Sequence, residues 1–259
     1  MSAHTAVVGQ PTSRRDRQRA ATMAEIKSAA RAQVVKHGPG GIQLRAVARD
    51  VGLTAPALYR YFPSLDDLAA ALTVDLYNEL IAALTAARDA DVEADVFAKM
   101  MSTSRAFREW AVSNPAEFGL LFATPQASFE HPVGTPCEEA SSRFGNVFAE
   151  LFLEIWQDYP FEVDQPQALA PGMVEGLTPY WTWLTSELAP TIPLGAVVVF
   201  LECWIRLYGT VAMEVFGHLS WAVPDGSAMF EQSLRSMAQS VKQVDRYTAP
   251  TTGQVQSAP

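Results

Sequence analysis

The sequence predicts an all-α protein, with an N-terminal three-helix helix-turn-helix domain followed by a larger helical domain. Apolar residues recur at spacings of three and four along most of the 259-residue chain, as they do on one face of an α-helix. The clearest stripe consists of leucines at four-residue steps from Leu68 to Leu84. No alternating apolar and polar segment of useful length indicates a half-buried β-strand.

The first helix is predicted to end near His37, because the segment GPGG at residues 38–41 does not continue a helix. Two interpretations of its start remain open. The arginine-rich segment RRDRQR at residues 14–19 is either the exposed beginning of this helix or a flexible arm that reaches DNA. Residues 1–13 and 247–259 are predicted to be disordered tails, since they are rich in Pro, Gly, Ser, Thr and Gln.

Two short helices joined by a glycine turn are predicted next, in the segment LRAVARDVGLTAPALYRYF. Gly52 stands where the first of them must end with a positive φ, which glycine adopts without steric cost. Thr54 is a suitable N-cap for the second helix. Leu58 and Phe62, four residues apart, are expected to face the core. This arrangement is a helix-turn-helix motif, and it predicts DNA binding.

The candidate DNA-binding residues are the side chains left for the outer surface of this motif: Arg45, Thr54, Ala55, Ala57, Tyr59, Arg60 and Tyr61. Arg45 and Tyr61 are expected to contact phosphates and so to affect the affinity for every duplex. Ala57, Tyr59 and Ala55 are expected to determine which bases are preferred. Thr54 is expected to cap its helix at the backbone.

Charge is distributed unevenly along the chain, whose net charge is −9. Residues 14–65 contain ten basic and three acidic residues, a net charge of +7. Residues 1–13 contain no Lys, Arg, Asp or Glu, so everything after residue 65 carries −16. The basic part can displace counterions from phosphates, whereas the acidic part would be repelled by DNA.

The helix-turn-helix segment resembles the TetR family of bacterial regulators, whose motif is much like A-x-x-x-G-[VL]-[ST]-x-x-x-[LI]-Y-x-[HY]-F. The resemblance covers residues 20–72 and is carried by Ala48, Gly52, Leu53, Thr54, Leu58, Tyr59, Tyr61 and Phe62. The chain departs from the family at Leu65, where members usually have a lysine at the start of the next helix. The resemblance implies a homodimeric repressor that a small molecule releases from its double-stranded DNA operator. Activation is the alternative to repression, because the position of the operator decides between them.

Seven further helices are predicted after the motif, at residues 65–87, 92–113, 116–123, 137–159, 172–188, 194–217 and 227–244. They divide the chain into a DNA-binding domain at residues 14–64 and a helical ligand-binding and dimerisation domain at residues 65–246. The first of these helices is expected to belong to both domains, because its start packs on the DNA-binding module and its end enters the second core.

The second domain also resembles one TetR C-terminal subgroup, which carries a Trp-x-x-x-His-Gly pattern. Trp204, Tyr208 and Gly209 match that pattern, with Tyr208 in the place of the histidine. The segment NPAEF at residues 114–118 also resembles this subgroup.

Aromatic side chains are dense in the second domain, at a helical spacing that an ordinary core would also have. Members of the family typically hold an apolar ligand cavity there, which implies a pocket for a hydrophobic small molecule with one or two polar groups. The candidate ligand-binding residues are Phe107, Trp110, Phe118, Phe122, Phe144, Phe148 and Trp181. The sequence does not distinguish rings that line a cavity from rings that fill a core.

The segment at residues 194–216 is almost uncharged, so a helix there must be buried on most of its faces. In the family, the equivalent helix and its successor form a four-helix bundle with a second subunit, which implies a homodimer. Val198 and Val211 are expected to face that subunit. Burial within a monomer is the alternative.

Sequence motifs typical of catalytic, metal-binding or nucleotide-binding sites are scarce. The four histidines lack the spacing of metal ligands, and no G-x-S-x-G, P-loop or G-x-G-x-x-G motif occurs. We therefore expect no enzyme activity, no cofactor and no metal site. A small-molecule carrier of the same fold, without operator binding, is the alternative function; Leu65 and the acidic total favour it.

The chain is expected to be cytoplasmic. Its N-terminus has no apolar signal-peptide core, and its two cysteines, Cys137 and Cys203, are expected to be reduced thiols. No uncharged apolar run is long enough to predict a membrane-spanning helix, so no association with a membrane is expected.

Overall fold

The structure is a computed structural model that describes residues 13–123, 134–187 and 191–249. Within these ranges the fold is all-α, as predicted, and no strand occurs. The α-helices in chain order are α1 (Arg14–His37), α2 (Leu44–Asp50), α3 (Ala55–Leu58), α4 (Leu65–Asp89), α5 (Val96–Ser113), α6 (Pro115–Phe122), α7 (Pro136–Asp158), α8 (Met173–Glu187), α9 (Leu194–Val215) and α10 (Ser227–Ser240).

Helix α1 begins with the arginine-rich segment. Ser13 caps it, because the Ser13 hydroxyl accepts a hydrogen bond from the backbone N–H of Asp16 at 3.1 Å. Residues 14–19 are therefore the exposed start of the helix, and the flexible-arm interpretation is wrong for them. The helix ends at His37, and its C-cap Gly38 has a φ of 81°, which stops the helix from continuing.

The helix-turn-helix forms as the sequence predicts. Gly52 has a φ of 69°, and the N–H of Leu53 reaches back to the carbonyl of Ala48 at 2.8 Å to close the turn. The Thr54 hydroxyl accepts from the N–H of Ala57 at 3.3 Å and caps α3. Helix α3 is short, and single turns continue from its end to Phe62. Leu58 and Phe62 are buried, as expected.

Replacement of Gly52 by alanine is expected to lower the free energy of unfolding by about 1–2 kcal/mol, the cost of a left-handed backbone for a residue with a Cβ. The added methyl group itself meets nothing within 4 Å, so the backbone is the only source of strain. Gly145→Ala is the matched control. It lies in the interior of α7 with equally open space, and there alanine should stabilise by about 0.5–1 kcal/mol. Urea unfolding of both variants measures the difference, and equal effects would contradict the assigned turn.

Contacts within the chain divide it into two compact units. The first contains the described residues up to Asn78, together with those between Ala116 and Ser141. The second contains the described residues of 79–115 and those from Ser142 onward. Helix α4 contributes its first part to one unit and its last part to the other.

Helix bounds differ from the predicted ones by a few residues where a cap intervenes. Helix α5 begins at Val96 rather than at residue 92, because Asp95 caps it by accepting from the N–H of Ala98 at 2.8 Å. Helix α10 ends at Ser240, before Lys242 adopts a φ of 57°. Most of both predicted tails lies outside the described residues. Of the described tail residues, Tyr247 donates a hydrogen bond from its hydroxyl to the carboxylate of Glu231.

Two helices, α4 and α9, are long and apolar enough to cross a membrane by length and composition. In α4 this apolarity is explained by the leucine stripe from Leu68 to Leu84, all of which is buried. Helix α9 is buried on one face and exposed on another. Core helices share this length and composition, so neither helix indicates a membrane protein.

Candidate DNA-binding surface and effector cavity

The first unit presents an arginine-bearing surface around the helix-turn-helix. Arg45, the second residue of α2, and Tyr59, which follows α3, border one shallow hollow of about 170 Å³. Ala55 lines the same hollow, so the structure brings together three of the predicted DNA-binding residues. Tyr59 is 49% exposed although it is aromatic. An exposed aromatic ring beside an arginine can contact both the bases and the backbone of a duplex.

The other predicted residues lie on the same short segment. Thr54 and Arg60 are exposed, whereas Ala57 and Tyr61 are half-buried. The guanidinium of Arg19, on α1, lies 5.3 Å from the centre of the Tyr61 ring, within the range of a cation–π interaction. Arg19 therefore lies against the Tyr61 ring. In the sequence, Arg19 differs from its neighbours only as a member of the arginine-rich segment, so no local pattern identifies it.

Positive charge on this surface is largely uncompensated. In the described part of the chain, no carboxylate forms an ion pair with Arg45 or Arg60. Other basic residues of the unit are used internally: Lys27 pairs with Asp75, and Nε of Arg31 donates to buried Glu117 at 2.9 Å. The exposed arginines are therefore available to phosphates.

The second unit contains a cluster of four aromatic rings. Phe107, Phe144, Phe148 and Trp204 lie with all their ring centres within 6.4 Å of one another. Such edge-to-face and tilted contacts stabilise a core beyond the area that they bury. Phe107 and Phe144 are buried inside this cluster. Trp204, which belongs to the subgroup pattern but was not among the predicted ligand residues, is its fourth member.

A narrow apolar cavity of about 50 Å³ borders this cluster, between α5, α7, α9 and α10. Phe148 and Trp204 form part of its wall, and three methionines, Met100, Met101 and Met237, form another. Methionine side chains are flexible and rearrange readily around a ligand. No charged side chain lines the cavity among the residues that the structure describes.

Besides the Trp204 indole, Ser104 and Cys203 are the polar or ionisable side chains in that wall. The Ser104 hydroxyl donates to the carbonyl of Met100 at 2.8 Å, which leaves its oxygen able to accept. Burial raises the pKa of the Cys203 thiol to about 11, so it stays protonated at neutral pH. The cavity is therefore neutral.

The remaining predicted ligand residues lie elsewhere. Trp110 donates its indole N–H to Glu79 at 3.1 Å, and Trp181 donates to the carbonyl of Ile192 at 2.9 Å. Phe118 and Phe122 belong to the first unit, where their ring centres are 4.8 Å apart. Of the seven candidates, Phe148 is the one that lines the cavity. Phe107 and Phe144 do not line it, but their rings pack against the Phe148 ring.

The chain end after α10 is anchored beside these helices. Arg105, on α5, forms a two-pronged ion pair with Glu231 at 2.9 and 3.0 Å, and Tyr247 donates to the same carboxylate at 2.5 Å. Burial alone would raise the pKa of Glu231, but the hydrogen bonds from Arg105 and Tyr247 outweigh it and hold the pKa below its usual value. Glu231 thus stays ionised and fixes α10 against α5.

Helix α9 also has an exposed apolar face. Ile205 is 68% exposed, and Phe216, three helical turns later, is exposed as well. The prediction that Val198 and Val211 face a second subunit is wrong, because they are 7% and 0% exposed within the single chain. A helix that is apolar on several faces has no polar side to indicate which face lies inward.

Two family models match the chain. "Bacterial regulatory proteins, tetR family" matches residues 20–72, and "Tetracyclin repressor-like, C-terminal domain" matches residues 100–237. The Trp-x-x-x-His-Gly subgroup stays a prediction. The HTH-type transcriptional regulators Rv1816 of Mycobacterium tuberculosis and Mb1846 of Mycobacterium bovis are each 31% identical to the chain over 212 residues, which is 75% of this chain and 80% of theirs.

Solved structures are also similar. The regulatory protein SCO4313 has a TM-score of 0.62 and 26% identity, over 88% of this chain and 100% of its own. RolR, solved in complex with its ligand resorcinol, has a TM-score of 0.53 and 12% identity, over 91% of this chain and 99% of its own. At that identity the likeness to RolR concerns the fold alone.

Proposed function

Since this chain belongs to the TetR family of transcriptional regulators, we propose that it is a ligand-responsive repressor. It binds a double-stranded DNA operator as a homodimer in the cytoplasm, and a small hydrophobic molecule releases it. The observation that supports ligand binding is the neutral, apolar cavity beside the four-ring cluster in the second unit.

The DNA-binding half is supported by the exposed Arg45 and Arg60 beside α3, neither of which forms an ion pair within the described residues. The test is a titration of the wild-type protein with mixed-sequence duplex DNA at about 50 and 200 mM salt. A regulator loses affinity steeply as salt rises, because phosphate contacts release counterions. A carrier of the same fold binds no duplex at either salt concentration, and that result would overturn the proposal.

The effector is expected to be small, neutral and largely apolar. The cavity is far smaller than the roughly 300–1,000 Å³ of drug-sized pockets, so a ligand must displace the methionine side chains. The Ser104 oxygen and the Cys203 thiol offer it one acceptor and one weak donor. RolR, which has a similar fold and was solved with resorcinol bound, supports this choice because resorcinol is a small aromatic molecule.

Thermal shift with sets of apolar and of charged compounds tests the assignment of the cavity. A bound effector at a hundredfold excess over its Kd should stabilise the wild type by about 2.7 kcal/mol and raise its Tm. Cys203→Leu, which fills the cavity wall, should abolish that shift, whereas Cys137→Leu makes the same change on α7 outside the cavity and should preserve it. Stabilisation by charged metabolites alone would mean that the rings are structural core.

Communication between the cavity and DNA follows the continuity of the helices. Helix α5, which lines the cavity, runs through Asn114 into α6, and Glu117 of α6 binds Arg31 of α1. Helix α4 provides the second continuous connection. A ligand that favours one arrangement of these helices changes the affinity of the protein for DNA. By linkage, DNA changes the affinity of the protein for the ligand by the same factor. The proposed effector favours the arrangement that does not bind the operator, so the apolar compound that raises the Tm should also release DNA.

The dimer uses the exposed apolar face of α9 and the adjoining surface of α10. The family is typically dimeric, and Ile205, Phe216 and Met229 leave on these elements the kind of apolar surface that a permanent interface covers. Two-fold symmetry would place the recognition segments of the two chains about 34–36 Å apart, one turn of the double helix.

A further inference from the structure

A glutamine lies on the buried face of α1. Gln33 is 7% exposed, and Ile26, Ala30 and Val34 around it on the helix are completely buried. A buried amide is costly unless its polar atoms are hydrogen-bonded, so the bonds of Gln33 determine whether that position is tolerated. Gln33 follows Ile26 by seven residues and Ala30 by three, so helical periodicity places it on this face, but the sequence does not show what its amide binds.

The amide of Gln33 binds both ends of α2. Its Oε1 accepts from the backbone N–H of Gln43, the residue just before α2, at 2.8 Å. Its Nε2 donates to Oδ2 of Asp50, the last residue of α2, at 3.2 Å. Val47 and Ala48 already bury one face of α2, and the two hydrogen bonds add an attachment at each end of the helix, which fixes its direction.

The direction of α2 determines where the DNA-contacting groups lie. Arg45 is on α2 itself. The turn to α3 is closed by two backbone bonds, from Gly52 to Arg49 at 3.1 Å and from Leu53 to Ala48 at 2.8 Å. A rotation of α2 would therefore carry α3 and Tyr59 with it.

We propose that Gln33 is a positioning residue for operator recognition: by joining both ends of α2 to α1, it fixes the orientation of Arg45 and of the recognition segment. The inference depends on the DNA binding proposed above. Selective contacts require side chains held to within about 0.5 Å by packing and by supporting hydrogen bonds, and Gln33 supplies two such bonds to α2.

The test exchanges the partners of one hydrogen bond. Gln33→Glu still accepts from Gln43, but it places a second carboxylate against Asp50 and repels it. Adding Asp50→Asn restores the bond with the donor on the other side, at the wild-type net charge. The readout is the ratio of affinities for a duplex selected by the wild type from a random pool and for a scrambled duplex, at one salt concentration.

In Q33E this ratio is expected to fall about tenfold, and in Q33E/D50N it should return to within about threefold of the wild-type ratio. The added charge alone would weaken both duplexes alike and leave the ratio unchanged. Circular dichroism checks that each variant is folded at the assay temperature. A folded Q33E with an unchanged ratio, or a double variant that does not recover, would overturn the inference.

A second pair of variants covers the case in which Q33E does not fold. Asp50 is half-exposed, so Asp50→Ala and Asp50→Asn both leave the core intact and remove the same charge. The asparagine side chain retains an acceptor for Gln33, whereas alanine does not. The ratio should fall in D50A and hold in D50N, and equal ratios would overturn the inference. If the wild type binds no duplex at all, the proposed function fails first and this inference falls with it.

Discussion

Ile205→Glu is expected to convert a dimer of this protein into monomers and to abolish selective DNA binding. Ile205 is 68% exposed on α9, so a charge there does not disturb the interior of the single chain. In a two-fold interface the substitution occurs twice, and each unpaired carboxylate removed from water costs several kcal/mol. Light scattering at micromolar concentration should report one chain rather than two.

Val92→Glu is the matched control for that experiment. Val92 is 82% exposed in the segment between α4 and α5, outside α9 and α10, so the same change should leave the mass and the DNA affinity as they are in the wild type. An Ile205→Glu variant that remains dimeric would show that the exposed face of α9 is not the interface. A monomeric wild type would remove the premise of a homodimer altogether.

Arg45→Ala is expected to weaken binding to every duplex by about tenfold or more and to reduce the slope of log affinity against log salt by about one per subunit. Arg45 is exposed, is not paired with a carboxylate in the described chain and borders the hollow beside Tyr59. A lost phosphate contact has this signature because it no longer releases a counterion.

Arg143→Ala provides the comparison for Arg45, since Arg143 is an exposed arginine on α7, in the second unit. It should change neither the affinity nor the salt slope. Tyr61→Phe should resemble Arg45→Ala in weakening all duplexes, whereas Tyr59→Ala should change which bases are preferred. A Tyr61→Phe variant with altered base preference and unaltered affinity would contradict this division of roles.

The helix-turn-helix was predictable because its signals are local. Gly52 supplies a positive φ, Thr54 supplies a cap, and Leu58 and Phe62 lie one turn apart. Each of these properties depends on the residue and its immediate neighbours, so the sequence is sufficient to locate them. The length of α3 was less predictable, because the residues that follow it form backbone hydrogen bonds in single turns and not in a regular helix.

The aromatic residues show where sequence reasoning stops. Phe144 and Phe148 have the same spacing and chemistry and both belong to the four-ring cluster, yet Phe148 reaches the cavity wall and Phe144 does not. Trp110 and Trp181 were equally plausible cavity residues, but their indole N–H groups bind Glu79 and the carbonyl of Ile192. Which ring borders an empty space depends on helices distant in sequence.

By itself, then, the sequence determined that this protein is all-α, where its helix-turn-helix lies and which end of the chain is basic, because caps, turns, periodicity and charge are properties of short segments. Only the tertiary structure decided which face of α9 is exposed, that Arg19 lies against the Tyr61 ring, and that Gln33 binds both ends of α2. These features arise where helices far apart in sequence meet, and a helical period of 3.6 residues specifies the faces of a helix without specifying their neighbours.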